Sequence, residues 1–411
     1  MDGKLIKFVN CKILRNHSLF EDCFLVGGGK IIDPEKIFFE EKRKPDIIID
    51  LEGCIVSPGF IDIQINGGFG VDFTHDLFQN PEGLNIVAKG VLAYGVTSFC
   101  PTLVTSTPQN YRRVLRLLSP RKGGLNGASI LGAHVEGPFI NKKKMGAHNA
   151  EYISDLPNGP GSILDMYGDL SCIKVLTLAP ELENSVEVIR WLVEKGIIVC
   201  LGHSVADVEV GEEAINSGAR VLTHLFNAML PFHHRNPGLV GLLGTTCENP
   251  VYFGLIPDGI HTHPSSLRIA YRSLPKGAIL VTDAISAMGF DEGVHHIGDK
   301  KIEIKSNQAF IANTTTLCGS VATMDKCVRF FKESTDCTIV EALEAATLHP
   351  AQALGIEKTK GTLCFGSDAD FVLLNDELEV LSTWIGGLCV WSQSPKFGDS
   401  DSYSLQNSTP I

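Results

Sequence analysis

From Phe60 onward, short apolar runs alternate with longer amphipathic stretches. Eight apolar runs follow one another: FIDIQING, GVTSFCPTLV, ASILGAHVEGPF, CIKVLTLAPE, IIVCLGHSVA, RVLTHLFNAM, VYFGLIPDGIH and AILVTDAISAMG. Between them, SVEVIRWLVEKG and DVEVGEEAINSGA carry helical periodicity. Strands alternating with helices mark βαβ units and a parallel sheet, and eight of them favour a TIM-like (β/α)8 barrel over an open doubly wound sheet.

The ends of the chain have a different texture. Residues 1–57 form several short strand-like runs, with Gly27–Gly29 giving a tight turn and the charged run 40–44 read as a solvated loop. Strand texture resumes at Gly361, so both ends are expected to build one small β-sandwich domain (1–57 with 356–411) around a barrel at 58–355. Residues 293–313 predict a β-hairpin above the barrel, MDKCVRFFKES and IVEALEAATLHPAQALG predict helices, and the polar stretch 392–410 is expected to be poorly ordered.

Composition narrows the class. The 411 residues are 44% hydrophobic and 20% charged, ordinary for a globular protein. A net charge of -12 argues against nucleic acid or an anionic membrane as the main partner. No apolar stretch approaches the roughly 18 residues of a membrane helix, and the first residues lack a secretory signal's apolar core. The 12 cysteines are scattered and never form CxxC, which fits reduced thiols in a cytoplasmic protein. No GxxxxGK[ST] or GxGxxG follows a strand, so any phosphate is held another way.

The polar residues at the carboxyl ends of the runs carry the candidate chemistry, because α/β barrels build their sites there. The stretch Val221–Arg235 shows the pattern: a buried strand that delivers His224, then Asn227 and Arg235. Run one ends with Asp62, Gln64 and Asn66, run three with His134 and Glu136, run five with His203 and run eight with Asp283. A lone histidine in an apolar strand is ordinarily a satisfied buried imidazole, and Asp283 alone could be a helix cap. Four such residues at one end of four strands shift the balance. Glu136, His203 and His224 give one carboxylate and two imidazoles, a set that accepts zinc, iron, cobalt or manganese, with Asp283 facing the open position. His134, two residues before Glu136, shares its side of the strand, and His349 reads as structural.

Taken together, PGFIDIQINGG, GAHVEGPFI, KMGAHNAE, LGHSVAD, THLFNAM, RNPGLVG, DGIHTHP, LVTDAISAMG and the GSxxTMD at 319–325 resemble the amidohydrolase superfamily, and within it the N-acetylglucosamine-6-phosphate deacetylases. The stretches run in order from Pro58 to Asp325. The resemblance implies metal ligation by Glu136, His203 and His224, with Asp283 as general base and acid. It implies that Ala147 and His148 address the N-acetyl group or nearby hydroxyls, and that Asn227, Ala228, Arg235 and His261 bind the sugar phosphate. Leu317, Cys318 and Gly319 would line the sugar pocket. It further implies a homodimer in which Arg235 reaches the neighbouring site.

Many members of the superfamily carry HxH after the first strand, which helps hold a second metal. Here Gln64 and Asn66 stand in those places, and amides ligate transition metals poorly. One divalent ion per subunit, zinc by preference, is the expectation. A cyclic-amide hydrolase or a deaminase would need the HxH pair, and a non-catalytic scaffold would not need the four site residues.

Overall fold

The computed structural model describes residues 4–297, 300–305, 308–312 and 317–394. Its central layer is the expected barrel of eight parallel strands: Phe60–Ile65, Val96–Leu103, Ala133–Glu136, Ile173–Leu178, Ile198–Leu201, Val221–Leu222, Tyr252–Leu255 and Ala278–Leu280. Each pairs with the next in chain order. Closure comes beyond the ladder, where Asp283 N–H donates to the Gln64 carbonyl (2.9 Å), Asn66 N–H to the Ala284 carbonyl (2.8 Å) and the Thr282 hydroxyl to Asp62 Oδ2 (2.6 Å).

These strands are apolar almost throughout because both of their faces are covered, one by the barrel interior and one by helices. Helices Ser185–Glu194 and Val208–Asn216 show how the outer layer is built. The first buries Val188, Ile189 and Leu192 against the strands; the second is capped by Asp207, whose carboxylate accepts Val210 N–H at 3.0 Å. Among the described residues, no helix is long and apolar enough to cross a membrane.

The chain ends meet in one eight-stranded sheet. Phe371–Leu374 pairs with Ile55–Pro58, which pairs with the long strand Leu5–Arg15. Leu5–Arg15 also carries Ile47–Asp50 further along, so the sheet folds round its own core of Phe8, Phe24, Phe371 and Trp384. Phe8 stacks on Phe24, and Phe371 on Trp384. Lys30 binds Asp368 (2.7 Å), tying the two ends together, and Lys360 braces the same carboxylate (3.2 Å). The Thr383 hydroxyl donates to the Leu92 carbonyl (2.7 Å), anchoring the sheet on the barrel.

Two local expectations change. The run at 40–44 begins inside a short π-type helix, Lys36–Glu41, which Pro34 helps to start and which leaves Phe38 and Phe39 exposed. The hairpin at 293–313 is part of a four-stranded antiparallel sheet, Gly293–Ile297, Lys300–Lys305, Gln308–Ile311 and Leu317–Ser320. This sheet docks behind Asp283 through Ile285 N–H and the Ser320 carbonyl, 2.9 Å apart. Of the polar stretch at 392–410, residues from 395 onward lie outside the described residues.

Candidate active site

Glu136 is the last residue of its strand, whereas His203 and His224 stand two residues past theirs and Asp283 three. At those three the backbone turns into the left-handed region, with φ of 50°, 25° and 45°. Non-glycine residues held there cost on the order of 1–3 kcal/mol each. The turn aims each side chain into the barrel mouth. Gly202 lets the fifth strand approach the sixth, because a Cβ there would lie 2.7 Å from Thr223 Cβ.

Glu136, His203 and His224 converge. Glu136 Oε1 lies 3.1 Å from His203 Nε2 and 3.0 Å from His224 Nε2. All three are buried, and among the described residues they are the group whose ligand atoms fall within 4.8 Å of one another. His203 Nδ1 donates to the Lys144 carbonyl (2.8 Å), which leaves Nε2 bare as a ligand. His224 Nδ1 is buried without a hydrogen-bond partner. Burial opposes ionisation of Glu136, yet the two histidines beside it, His203 and His224, outweigh it and hold the carboxyl well below its usual range. Burial likewise opposes a charged His224, but the Glu136 carboxylate pushes it up to about 9. The cluster draws positive charge to one point, and the donor set suits a divalent metal ion.

Asp283 sits beside this cluster. Asn66 Nδ2 donates to its Oδ1 at 2.7 Å, and Gln64 Nε2 reaches both Asp283 Oδ1 (3.4 Å) and Glu136 Oε1 (3.0 Å). Thus, of the two amides in the HxH places, Gln64 bridges the carboxylates and Asn66 holds Asp283. Burial and the neighbouring Glu136 raise the Asp283 carboxyl to about 6, against the pull of His224 and Asn66.

Hydrogen bonds around these residues hold the loops. Tyr111 and Tyr167 both aim hydroxyls at the Gly137 carbonyl (2.9 and 2.7 Å), just past Glu136. Glu181 accepts from Asn141, Ser204 and Val205 (3.0, 2.6 and 2.7 Å), stapling the loop after the third strand to the His203 turn. On that loop, His148 packs its ring 4.5 Å from the His203 ring, edge-on. Its Nδ1 faces Thr105, 3.2 Å from the backbone nitrogen and 2.7 Å from Oγ1. Burial, with His203 nearby, lowers His148 to about 3, so the ring is neutral.

The other singled-out residues fall as follows. His134 is satisfied by the Ile63 carbonyl (2.9 Å) and Thr177 Oγ1 (2.8 Å), and His349 by the Ala278 carbonyl (2.7 Å). His261 Nδ1 donates to Asp258 Oδ2 at 2.6 Å; burial opposes its protonation, but Asp258 raises its pKa on balance. Asn227 donates back to its own turn, at the carbonyls of His224 and Leu225 (3.3 and 3.4 Å), and the Ala228 carbonyl accepts Ser204 N–H (3.1 Å). Ala147 is exposed. Arg235 is exposed as well, its Nη1 3.1 Å from His234 Nε2, and none of its described bonds reaches the cluster. Gly319 lies in the strand Leu317–Ser320, while the side chains of Leu317 and Cys318 lie outside the described residues. Sequence reasoning missed Thr105, Tyr111, Tyr167 and Glu181 as supports, since none of them has a spacing that marks it.

The sequence matches the Amidohydrolase family over residues 55–390. It is 53% identical over 392 residues to the N-acetylglucosamine-6-phosphate deacetylase of Bos taurus, covering 94% of this chain and 96% of that protein. The fold is similar to the N-acetylglucosamine-6-phosphate deacetylase of Pasteurella multocida, with a TM-score of 0.81 and 30% identity over 93% of this chain and 98% of the other. It is also similar to a mutant deacetylase of Mycobacterium smegmatis in complex with N-acetyl-D-glucosamine-6-phosphate, with a TM-score of 0.78 and 28% identity over 95% of this chain and 100% of the other.

Proposed function

The chain belongs to the amidohydrolase family, and we propose as its reaction the hydrolysis of N-acetyl-D-glucosamine 6-phosphate to D-glucosamine 6-phosphate and acetate, a step of amino-sugar catabolism and recycling. It is a metal-dependent amide hydrolase acting on a small amino-sugar phosphate. The observation that carries this reading is Asp283, a carboxyl raised to about 6, joined through the Gln64 amide to a cluster of two histidines and one carboxylate.

Glu136, His203 and His224 are the residues to hold the metal, which we assign as one zinc ion per subunit. Such an ion lowers the pKa of water and polarises the acetamide carbonyl. Asp283 takes the proton of the attacking water. Asn66 and Gln64 both bond Oδ1, which leaves Oδ2 to accept it. As the carbon–nitrogen bond breaks, Asp283 returns the proton to the departing amine. A carboxyl raised to about 6 suits both transfers near neutrality. His148, neutral and beside His203, hydrogen-bonds the carbonyl oxygen as negative charge develops there.

Arg235 and His261, with Asn227 and the backbone at Ala228, take the phosphate; guanidinium binds it bidentately. The backbone around Ala147, with His148, addresses the N-acetyl group or nearby hydroxyls, and the stretch Leu317, Cys318 and Gly319 lines the sugar pocket. We assign a homodimer in which Arg235, exposed in the single chain, serves the neighbouring subunit's site. A cytoplasmic location fits the free cysteines, eleven among the described residues.

The test is release of free amine from N-acetylglucosamine 6-phosphate, run beside unphosphorylated N-acetylglucosamine, with and without chelator. Chelator-sensitive turnover of the phosphorylated sugar is the expected result. Equal turnover of both sugars would remove the phosphate assignment and keep the metal chemistry.

A further inference from the structure

We propose that Thr105 is a positioning residue that fixes His148 as the tautomer with its proton on Nε2. The inference rests on the role for His148 given above only in what the proton is used for; the tautomer itself follows from the contacts.

Two groups of Thr105 face His148 Nδ1, the backbone N–H at 3.2 Å and Oγ1 at 2.7 Å. A backbone amide can only donate, so Nδ1 must present its lone pair. The hydroxyl is then a second donor to the same atom. A neutral imidazole carries one proton, and here it sits on Nε2, pointing away from Thr105.

The pair is held in place from several sides. Thr105 is buried at 3% exposure, just past the second barrel strand. Its neighbour Val104 donates its N–H to Thr74 Oγ1 (3.0 Å), and the Val104 carbonyl shares the Tyr111 hydroxyl (2.9 Å) with that of Gly137. Opposite lies Gly137, with φ +83°, where a Cβ would stand 2.3 Å from Thr105 Oγ1 and 3.5 Å from His148 Nδ1. Any larger residue at 137 would push the threonine off the ring.

The consequence is a division of labour. With Nδ1 occupied and Nε2 protonated, His148 is a hydrogen-bond donor and has no free lone pair with which to take a proton from water. It serves the carbonyl oxygen, and proton abstraction is left to Asp283. Thr105 acts on the reaction through His148, without touching the substrate.

The test uses zinc-loaded full-length protein with 15N-labelled histidine. His148 is assigned by the signal lost in His148→Gln. Wild-type protein is expected to show the proton on Nε2; a proton on Nδ1 would overturn the proposal. Thr105→Ala keeps the backbone donor and loses only the hydroxyl, so it is expected to leave the proton mainly on Nε2, to let a minor Nδ1-protonated form appear, and to lower kcat roughly ten-fold or more with little change in KM; Thr105→Ser is expected to restore both. An alanine variant with both the wild-type spectrum and undiminished kcat would overturn the positioning role of Thr105. Mixed tautomers with undiminished kcat would keep the proposal and instead remove His148 from the reaction.

Discussion

Nε2 of His203 and Nε2 of His224 lie 3.0 Å apart. Two ring nitrogens at that separation share a proton or face a common cation, because bare lone pairs would repel. Glu136 Oε1, at 3.1 and 3.0 Å, completes the demand for positive charge. Dialysis against a strong chelator is therefore expected to abolish turnover and lower Tm, since a ligand bound only by the folded state stabilises it. Adding a divalent metal back restores both. Full activity in protein shown by elemental analysis to be metal-free would contradict the assignment.

Asp283→Asn is expected to cut kcat by roughly 10²–10⁴-fold, the usual worth of a general acid–base, with metal content unchanged. Burial and Glu136 raise the Asp283 carboxyl to about 6. Only the ionised form accepts a proton, so kcat/KM in the wild type should climb as pH rises through about 6 and level off above. A rate profile flat between pH 5 and 7 would count against Asp283 as the base.

Arg235→Ala is expected to raise KM for the phosphorylated sugar about ten-fold or more, as loss of a charged hydrogen bond of roughly 1.5–3 kcal/mol implies. Turnover of unphosphorylated sugar should not change. Steady-state kinetics on the two sugars decides the matter; equal effects on both would take the phosphate away from Arg235.

Asp62 sets a pH dependence of stability rather than of rate. Burial pushes its carboxyl up to about 7, against the bonds from Thr282 and Gln64 that favour the charged form. The folded state thus binds this proton more tightly than the unfolded chain does. Its stabilising contribution is full below about pH 4 and is lost as pH rises through about 7. Urea unfolding at pH 5 and pH 8 should show that loss, and Asp62→Asn should shrink it. An identical slope in the variant would refute the assignment.

The barrel and its four central residues were legible for one physical reason. Strands buried on both faces read as apolar runs, so a terminal Glu136, His203, His224 or Asp283 stands out against them. Gln64 and Asn66 were visible as departures from HxH, but only folding shows that the Gln64 amide joins the carboxylates of Glu136 and Asp283 while Asn66 holds Asp283. Tyr111 and Tyr167 are far apart in sequence and meet on the Gly137 carbonyl, and Glu181 binds two loops; no periodicity encodes such convergence. Thr105 is one hydroxyl among several in TLVTST, and its importance lies in a contact 43 residues away. The short helix at Lys36–Glu41 was hidden because its charged end resembles any solvated loop.

The sheet shared by both chain ends imposes an order of events on biosynthesis. Strand Ile55–Pro58 leaves the ribosome early, but its antiparallel neighbour Phe371–Leu374 emerges only when the chain is nearly complete. Throughout that interval the nascent protein carries an open strand edge, and Phe8 and Phe24 wait without Phe371 and Trp384. An open edge beside uncovered aromatics invites pairing with other chains. A premature stop anywhere between the barrel and Phe371 would thus leave every candidate site residue encoded, and the product would be lost to aggregation before chemistry was ever at issue.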